Sequence, residues 1–365
     1  MNKKLKIIIS GGGTGGHIYP AVAVAQTLQR KHPDVEILFV GAKDRMEMEK
    51  VPKAGYAIIG LWISGLQRSL SLKNILFPFK VIHSVWKSLS ILKAFHADAA
   101  IGFGGYASGA MLYAATMKKI PTVIHEQNSY AGITNKILKN RVDTICVAYD
   151  HMERFFPARK IVRTGNPIRQ DLNQVEQYKA AAHKHFGLDA GKKTILIIGG
   201  SLGARTINQS IQQHLQQYTD AGVQLLWQTG KSFYQNGKTL VSEKVKVYEF
   251  IYDMHLAYAV ADIVISRAGA LSIAELAHVK KPVILVPSPN VAEDHQTKNA
   301  MALVERQAAI LVKDGDAMNT LADEALNLLN NEVKQVQLKN NIATFDMPDA
   351  AERIVDELLK LLRKD

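Results

Sequence analysis

Two strand–glycine–helix openings, one near the start of the chain and one near its middle, constrain the fold of this sequence more than any other feature. The first leads from the apolar, β-branched run Leu5-Lys6-Ile7-Ile8-Ile9-Ser10 through Gly11-Gly12-Gly13-Thr14-Gly15-Gly16-His17 into a helical pattern over residues 21–30. The second leads from residues 193–198 through Gly199-Gly200-Ser201-Leu202-Gly203-Ala204 into residues 205–217. Strand-length runs at 35–40, 56–60, 99–103, 121–125, 143–147, 160–163, 223–228, 245–250, 262–266, 283–286 and 309–312 alternate with helical lengths. Such alternation predicts the α/β class, with parallel sheets and helical crossovers. A chain of 365 residues also exceeds what one hydrophobic core usually supports. The segment Thr164-Gly165-Asn166-Pro167-Ile168-Arg169 breaks the rhythm, so two doubly wound domains are expected over 1–163 and 164–348. In 349–365, Ala350, Ile354, Leu358 and Leu361 share one helical face, which is expected to pack back across the first domain.

A glycine turn that opens a helix lets backbone approach a ligand closely, and the helix end turns unpaired amides toward an anion. His17 is not required for a phosphate cradle; it either caps the helix or removes a proton near neutral pH. Gly11-x-Gly13-x-x-Gly16 formally fits a dinucleotide fingerprint. However, the second strand ends Phe39-Val40-Gly41-Ala42 with no acid at its tip to hold a ribose. Gly102-Phe103-Gly104-Gly105-Tyr106 and His125-Glu126-Gln127-Asn128 follow two further strands. Ligands bind at the carboxyl ends of strands in open α/β sheets, so these turns are expected to gather His17, Tyr106, Glu126 and Asn128.

In the second half, Ser266-Arg267-Ala268-Gly269-Ala270-Leu271-Ser272 runs from strand to helix, with Glu275 in the first turns. That carboxylate either accepts ribose hydroxyls or complements the helix dipole. Asp294-His295-Gln296 opens a later helix, where Gln296 offers both a donor and an acceptor. Asp314-Gly315-Asp316 could suggest a cation site, but Asp316 is better placed as an N-cap. His17, His125, His295 and Cys146 show no ligand spacing, so no metal and no cofactor is expected. Cys146 reads as a small buried hydrophobe, which suits a reducing compartment.

The net charge of +12 calls for an anionic partner. Residues 50–97 hold no Asp or Glu but carry Lys50, Lys53, Arg68, Lys73, Lys80, Lys87 and Lys93. Leu72, Ile75, Leu76, Phe79, Ile82, Trp86 and Leu89 recur there at helical spacing, with Pro78 expected to kink the run and Trp62 and Leu66 in a nearby loop. This is either a surface for anionic lipid headgroups or a core helix with a solvated basic face. No motif for base stacking or groove reading accompanies it, so nucleic acid is not expected as a partner. Neither a signal peptide nor a spanning segment is expected: the uncharged run 99–117 is interrupted by four glycines.

Taken in order, Gly12 to His17, Gly104-Gly105-Tyr106, His125 to Asn128, Gly165 to Arg169, Gly199-Gly200-Ser201, Ser266 to Ala270 with Glu275, and Asp294-His295-Gln296 resemble the MurG family. Members of that family are N-acetylglucosaminyltransferases that convert lipid I to lipid II in peptidoglycan synthesis. The resemblance covers almost the whole chain; Leu202 and Ser272 depart from the residues many relatives carry. It implies a GT-B glycosyltransferase architecture, two Rossmann-like domains facing a cleft. The undecaprenyl-linked acceptor would bind the first half and UDP-N-acetylglucosamine chiefly the second. By motif match Ile251 would meet uracil through its backbone and Glu275 the ribose. Ser201 and the Ala270-Leu271-Ser272 turn would meet the diphosphate, and Gln296 and Asn128 the sugar. Thr14, Gly15, Gly16, Tyr106, Arg169 and Arg267 would complete the substrate contacts. Inversion needs a base opposite the leaving diphosphate; His17 is the first candidate and Glu126 the second. The implied location is the cytoplasmic side of the cell membrane, held peripherally on an anionic bilayer surface.

Overall fold

In the computed structural model, which describes residues 4–65, 76–200 and 203–363, the chain forms two compact units. Unit 1 comprises Met1–Ile168 with Met347–Asp365, and unit 2 comprises Arg169–Asp346. Ser201, Leu202, Leu66, Arg68, Leu72, Lys73 and Ile75 lie outside the described residues.

Unit 1 is built on strands β1 (Lys6–Ser10), β2 (Glu36–Ala42), β3 (Ala57–Leu61), β4 (Ala99–Gly102), β5 (Thr122–Glu126), β6 (Thr144–Val147) and β7 (Ile161–Arg163). They lie parallel in the order β3-β2-β1-β4-β5-β6-β7, with Ile8 paired to Leu38 on one side and Ala100 on the other. Unit 2 carries β8 (Thr194–Ile198), β9 (Gln224–Gln228), β10 (Val245–Tyr248), β11 (Ile263–Ser266), β12 (Val283–Leu285) and β13 (Ile310–Leu311) in the order β10-β9-β8-β11-β12-β13. In each sheet the first strand sits inside, so the winding direction reverses beside it, at β1/β4 and at β8/β11. Helices cover both faces, so the inner strands are buried on both sides and read as apolar runs, while the outer strands β3, β7, β10 and β13 are half-exposed. Ile7, Ile8 and Ile9, like Ile195, Leu196 and Ile197, are fully buried.

The helix Ala350–Leu362 belongs to unit 1. Ile354, Val355 and Leu358 join the core cluster of Ile7, Val24 and Ile101, and Glu352 and Asp356 pair with Arg30 and Lys31 on the helix Gly15–Lys31.

The helix Phe77–Phe95 corrects one expectation. Pro78 stands in its first turn, where a missing N–H costs nothing, and so it starts the helix and does not kink it. This helix presents its apolar stripe outward: Phe79, Ile82 and Trp86 are 64%, 67% and 70% exposed. The small residues Ser84 and Ser88 face inward, donating to Trp62 O at 3.1 Å and Ser84 O at 2.7 Å. Lys80 reaches Ser64 Oγ at 2.9 Å and lies over the Trp62 ring. Among the described residues no helix is long and apolar enough to cross a membrane.

Candidate active site

In unit 1 the turns after β1, β4 and β5 meet. Gly105 has φ +86° and packs so closely that a Cβ there would lie 2.7 Å from Gly12 O; Gly104 has φ +94°, and its Cβ would lie 2.9 Å from His17 Nε2. Only glycine satisfies both the positive φ and the close approach at these two positions. The third turn is tied in through Gln127, whose amide donates to Phe103 O at 3.0 Å.

His17 lies in the first turn of the helix Gly15–Lys31, half-buried. Its Nδ1 is 2.7 Å from Gly12 O and 3.5 Å from Thr14 Oγ1. A carbonyl can only accept, so Nδ1 carries the hydrogen, and in the neutral ring Nε2 then keeps its lone pair. Thr14 is the N-cap, with extended backbone and no side-chain cap bond, and Gly15 and Gly16 begin the helix with amides that have no intrahelical acceptor. Pro20, inside the helix, has no N–H to offer Gly16 O. Tyr106 opens the helix Tyr106–Met117 and is exposed.

Glu126 is buried and fully engaged. Oε1 accepts from the Asn128 backbone at 3.1 Å and the Asn128 side chain at 3.2 Å, while Oε2 accepts from Gly132 N at 3.0 Å and Asn135 Nδ2 at 2.9 Å. Four donors on one carboxylate shape the 126–135 loop, and a base needs a lone pair that is not already satisfied. His125 beside it is also inward: Nε2 donates to Gly165 O at 2.9 Å, Gln127 Nε2 approaches Nδ1 at 3.1 Å, and burial lowers its pKa to about 4. The imidazole therefore stays neutral. Of the titratable groups sequence reasoning brought here, His17 alone has a ring nitrogen left to accept a proton.

In unit 2, Glu275 lies on the helix Ala270–Val279 with its side chain 15% exposed. Arg169 Nε donates to Oε1 and the Tyr258 hydroxyl to Oε2, both at 3.1 Å; Arg169 also reaches Tyr252 O at 3.4 Å. Burial raises the Glu275 carboxyl from its ordinary value, against the opposing pull of the Arg169 charge and of both hydrogen bonds. Burial also pushes the Tyr258 phenol well up, keeping it a donor. Leu271 and Ser272 occupy the first turn after Gly269, where helix amides lack intrahelical partners. Ile251 is buried, and its N–H is taken by Gln228 Oε1 at 2.8 Å, leaving its carbonyl as the backbone group available to a base. Gln296 Oε1 accepts from Ser288 N at 2.8 Å, which fixes its amide against the Pro287-Ser288-Pro289 loop.

Arg267 is turned inward. Nη1 pairs with Asp314 and donates to Val286 O at 3.0 Å and Pro287 O at 3.2 Å, bracing the ends of β11 and β12 against the turn before the helix Ala317–Leu329. Asp316 does not cap that helix with its side chain. Its φ of −94° and ψ of −12° are helical, whereas a capping carboxylate needs extended backbone to reach the N2 and N3 amides. Three residues escaped sequence reasoning, and none carries a local motif: Glu47 holds Gly13 N, Asn135 holds Glu126 and Tyr258 holds Glu275. Asp314, weighed with Asp316 as a cation site, pairs instead with Arg267.

Residues 7–147 match the Glycosyltransferase family 28 N-terminal domain, and residues 194–354 the Glycosyltransferase family 28 C-terminal domain. The UDP-N-acetylglucosamine--N-acetylmuramyl-(pentapeptide) pyrophosphoryl-undecaprenol N-acetylglucosamine transferase of Cytophaga hutchinsonii is 58% identical over 363 residues, spanning 100% of this chain and 98% of that protein. The protein of the same name from Flavobacterium psychrophilum is 53% identical over 361 residues, spanning 99% and 98%. Among solved structures, Acinetobacter baumannii MurG aligns with a TM-score of 0.78 at 27% identity, covering 98% of this chain and 100% of that one. The two units thus have the architecture of GT-B glycosyltransferases, and the chain belongs to glycosyltransferase family 28 and, within it, to the MurG N-acetylglucosaminyltransferases.

Proposed function

We propose that this chain transfers N-acetylglucosamine, with inversion, from UDP-N-acetylglucosamine to the 4-hydroxyl of the N-acetylmuramyl group of lipid I, giving lipid II. The observation that carries the mechanism is His17: its Nδ1–H is pinned to Gly12 O, so Nε2 is presented as an acceptor beside Gly104. An alcohol gives up its proton only as it attacks, and a positioned imidazole contributes about 10²–10⁴-fold to such a step. His17 takes the proton of the attacking hydroxyl, the anomeric carbon changes partner from the UDP oxygen to the acceptor oxygen, and UDP leaves. Glu126 shapes the loop that carries Asn128 and does not act as the base.

Unit 2 holds the donor. Glu275 accepts the ribose hydroxyls, Ile251 O meets the base, and the Ala270-Leu271-Ser272 turn faces the diphosphate together with Ser201. Asn128 and Gln296 serve sugar hydroxyls, while Thr14, Gly15, Gly16 and Tyr106 line the acceptor side and Arg169 holds Glu275. The exposed stripe of Phe79, Ile82 and Trp86, with Lys80 and Lys87, rests on anionic lipid headgroups at the cytoplasmic face. That arrangement suits an acceptor whose tail is buried in the bilayer. Incubation with labelled UDP-N-acetylglucosamine and a lipid I analogue tests the reading: label moves to the analogue and UDP appears in equal amount. Epimerised donor, or no transfer, would overturn it.

A further inference from the structure

Glu47 begins the helix Glu47–Lys53 and is fully buried. Its Oε1 accepts from Ala42 N and its Oε2 from Gly13 N, each at 2.9 Å. Space for the carboxylate is made by glycines: a Cβ at Gly12 would lie 2.1 Å from Oε1, and a Cβ at Gly41 would lie 2.5 Å from Glu47 Cγ. The N–H of Gly13 and the C=O of Gly12 are the two ends of one peptide group. That C=O is the acceptor of the His17 Nδ1 hydrogen at 2.7 Å. A continuous line therefore runs from the Glu47 carboxylate through a single peptide unit to the imidazole.

We propose that Glu47 is a positioning residue for the transferase reaction, acting on His17 through the Gly12–Gly13 peptide. This rests on the reading of His17 as the base. A peptide group whose N–H is held by an anion is more strongly polarised, and its oxygen is a better acceptor. The Nδ1 hydrogen is then held more firmly, the ring orientation and tautomer are fixed, and positive charge arising when Nε2 gains a proton is stabilised. Carboxylates that orient a functional imidazole usually touch it directly. Here the peptide is interposed, so the glycine turn itself belongs to the relay. The other groups around His17 bring no competing charge: Thr14 offers a hydroxyl, Gly104 faces the ring from the second turn, and His125 of β5 is kept neutral by burial.

The test is ¹⁵N-histidine NMR of the full chain, titrated over about pH 5 to 8, with turnover measured across the same range, for wild type and Glu47→Gln. Glutamine keeps the volume but cannot accept from both Gly13 N and Ala42 N. In wild type, His17 should carry its neutral-state hydrogen on Nδ1. In Glu47→Gln the His17 midpoint and the acidic limb of turnover should both move to lower pH. Turnover should fall on the order of 10–100-fold, with the Michaelis constant for UDP-N-acetylglucosamine unchanged. An unmoved midpoint would overturn the relay, as would a wild-type ring protonated on Nε2, and the latter needs no variant to fold. A purely structural Glu47 would lower the yield of folded enzyme without moving the midpoint. Because the NMR arm needs no turnover, the base assignment and the relay can fail separately: a fully active His17→Ala would remove the first, and an unmoved midpoint the second.

Discussion

The Tyr258 hydroxyl donates to Glu275 Oε2 across 3.1 Å while Arg169 Nε donates to Oε1 across the same distance, so both oxygens of this carboxylate are held by donors of the chain itself. A ribose diol would add to an acceptor already oriented. Glu275→Ala should raise the donor Michaelis constant roughly tenfold to a hundredfold, the equivalent of about 1.5–3 kcal/mol for hydrogen bonds to a charged group. Tyr258→Phe should have a smaller effect in the same direction. Steady-state kinetics with varied UDP-N-acetylglucosamine measure this, and an unchanged Michaelis constant in the Glu275 variant would remove that residue from the donor site.

Donor affinity should depend on pH through the same group. Burial raises the Glu275 pKa, so on acidification the carboxylate gains its proton at a higher pH than an exposed glutamate would. Only the ionised form accepts from two hydroxyls. Calorimetric titration with UDP should therefore show affinity falling on acidification at a higher pH than an exposed glutamate would give; Glu275→Gln should bind weakly at every pH, without that fall.

His125 should make unit 1 sensitive to acid. Its pKa of about 4 when folded lies below the ~6.5 of a free imidazole, so between those values the unfolded chain binds a proton that the folded chain does not. Stability is thus lost as pH falls from about 6.5 toward 4, by about 3 kcal/mol from this group. Denaturant melts at stepped pH test the sign: His125→Gln should be less stable at pH ~7.5 but should lose less on acidification.

Asp314 and Asp316 should separate cleanly. Removing Asp314 strands the inward Arg267 guanidinium, and Asp314→Ala should destabilise unit 2 on the order of 3 kcal/mol. Asp316→Ala removes no side-chain cap and should lie within about 0.5 kcal/mol of wild type. Thermal melts of the two variants decide between this and a capping role for Asp316.

Vesicle binding should follow the outward face of the helix Phe77–Phe95. Trp86→Ser and Lys87→Glu should each weaken sedimentation with anionic vesicles, the lysine by about 1 kcal/mol and in a salt-dependent way. Indifference to both changes would mean that this face does not meet lipid.

Strand positions were legible because strands covered on both faces need unbroken apolar, β-branched sequence, as in Ile7-Ile8-Ile9 and Ile195-Leu196-Ile197; the expected runs match the observed strands within a residue or two. The glycine turns were legible for a similar local reason. Which way the helix Phe77–Phe95 faces was not, since periodicity reports that two faces differ without saying which one packs. Ser84 and Ser88 turn inward because small side chains permit close approach to the neighbouring helix. Glu47 and Tyr258 were illegible because each works across a gap in sequence, and the pairing of Asp314 with Arg267 was hidden for the same reason. A buried glutamate at a helix start is spelled no differently from a solvated one. The second strand carries no acid at its tip, as expected, yet Glu47 five residues further on reaches back to Ala42 N at that strand end, to brace the turn.

The helix Ala350–Leu362 completes unit 1, although every other element of that unit precedes Arg169. During synthesis the apolar surface around Val24 and Ile101 must wait, uncovered, while all of unit 2 is made and becomes free to fold. The last helix therefore acts as a timer: the half that holds His17 reaches its finished form only after the half that holds Glu275 has been translated in full.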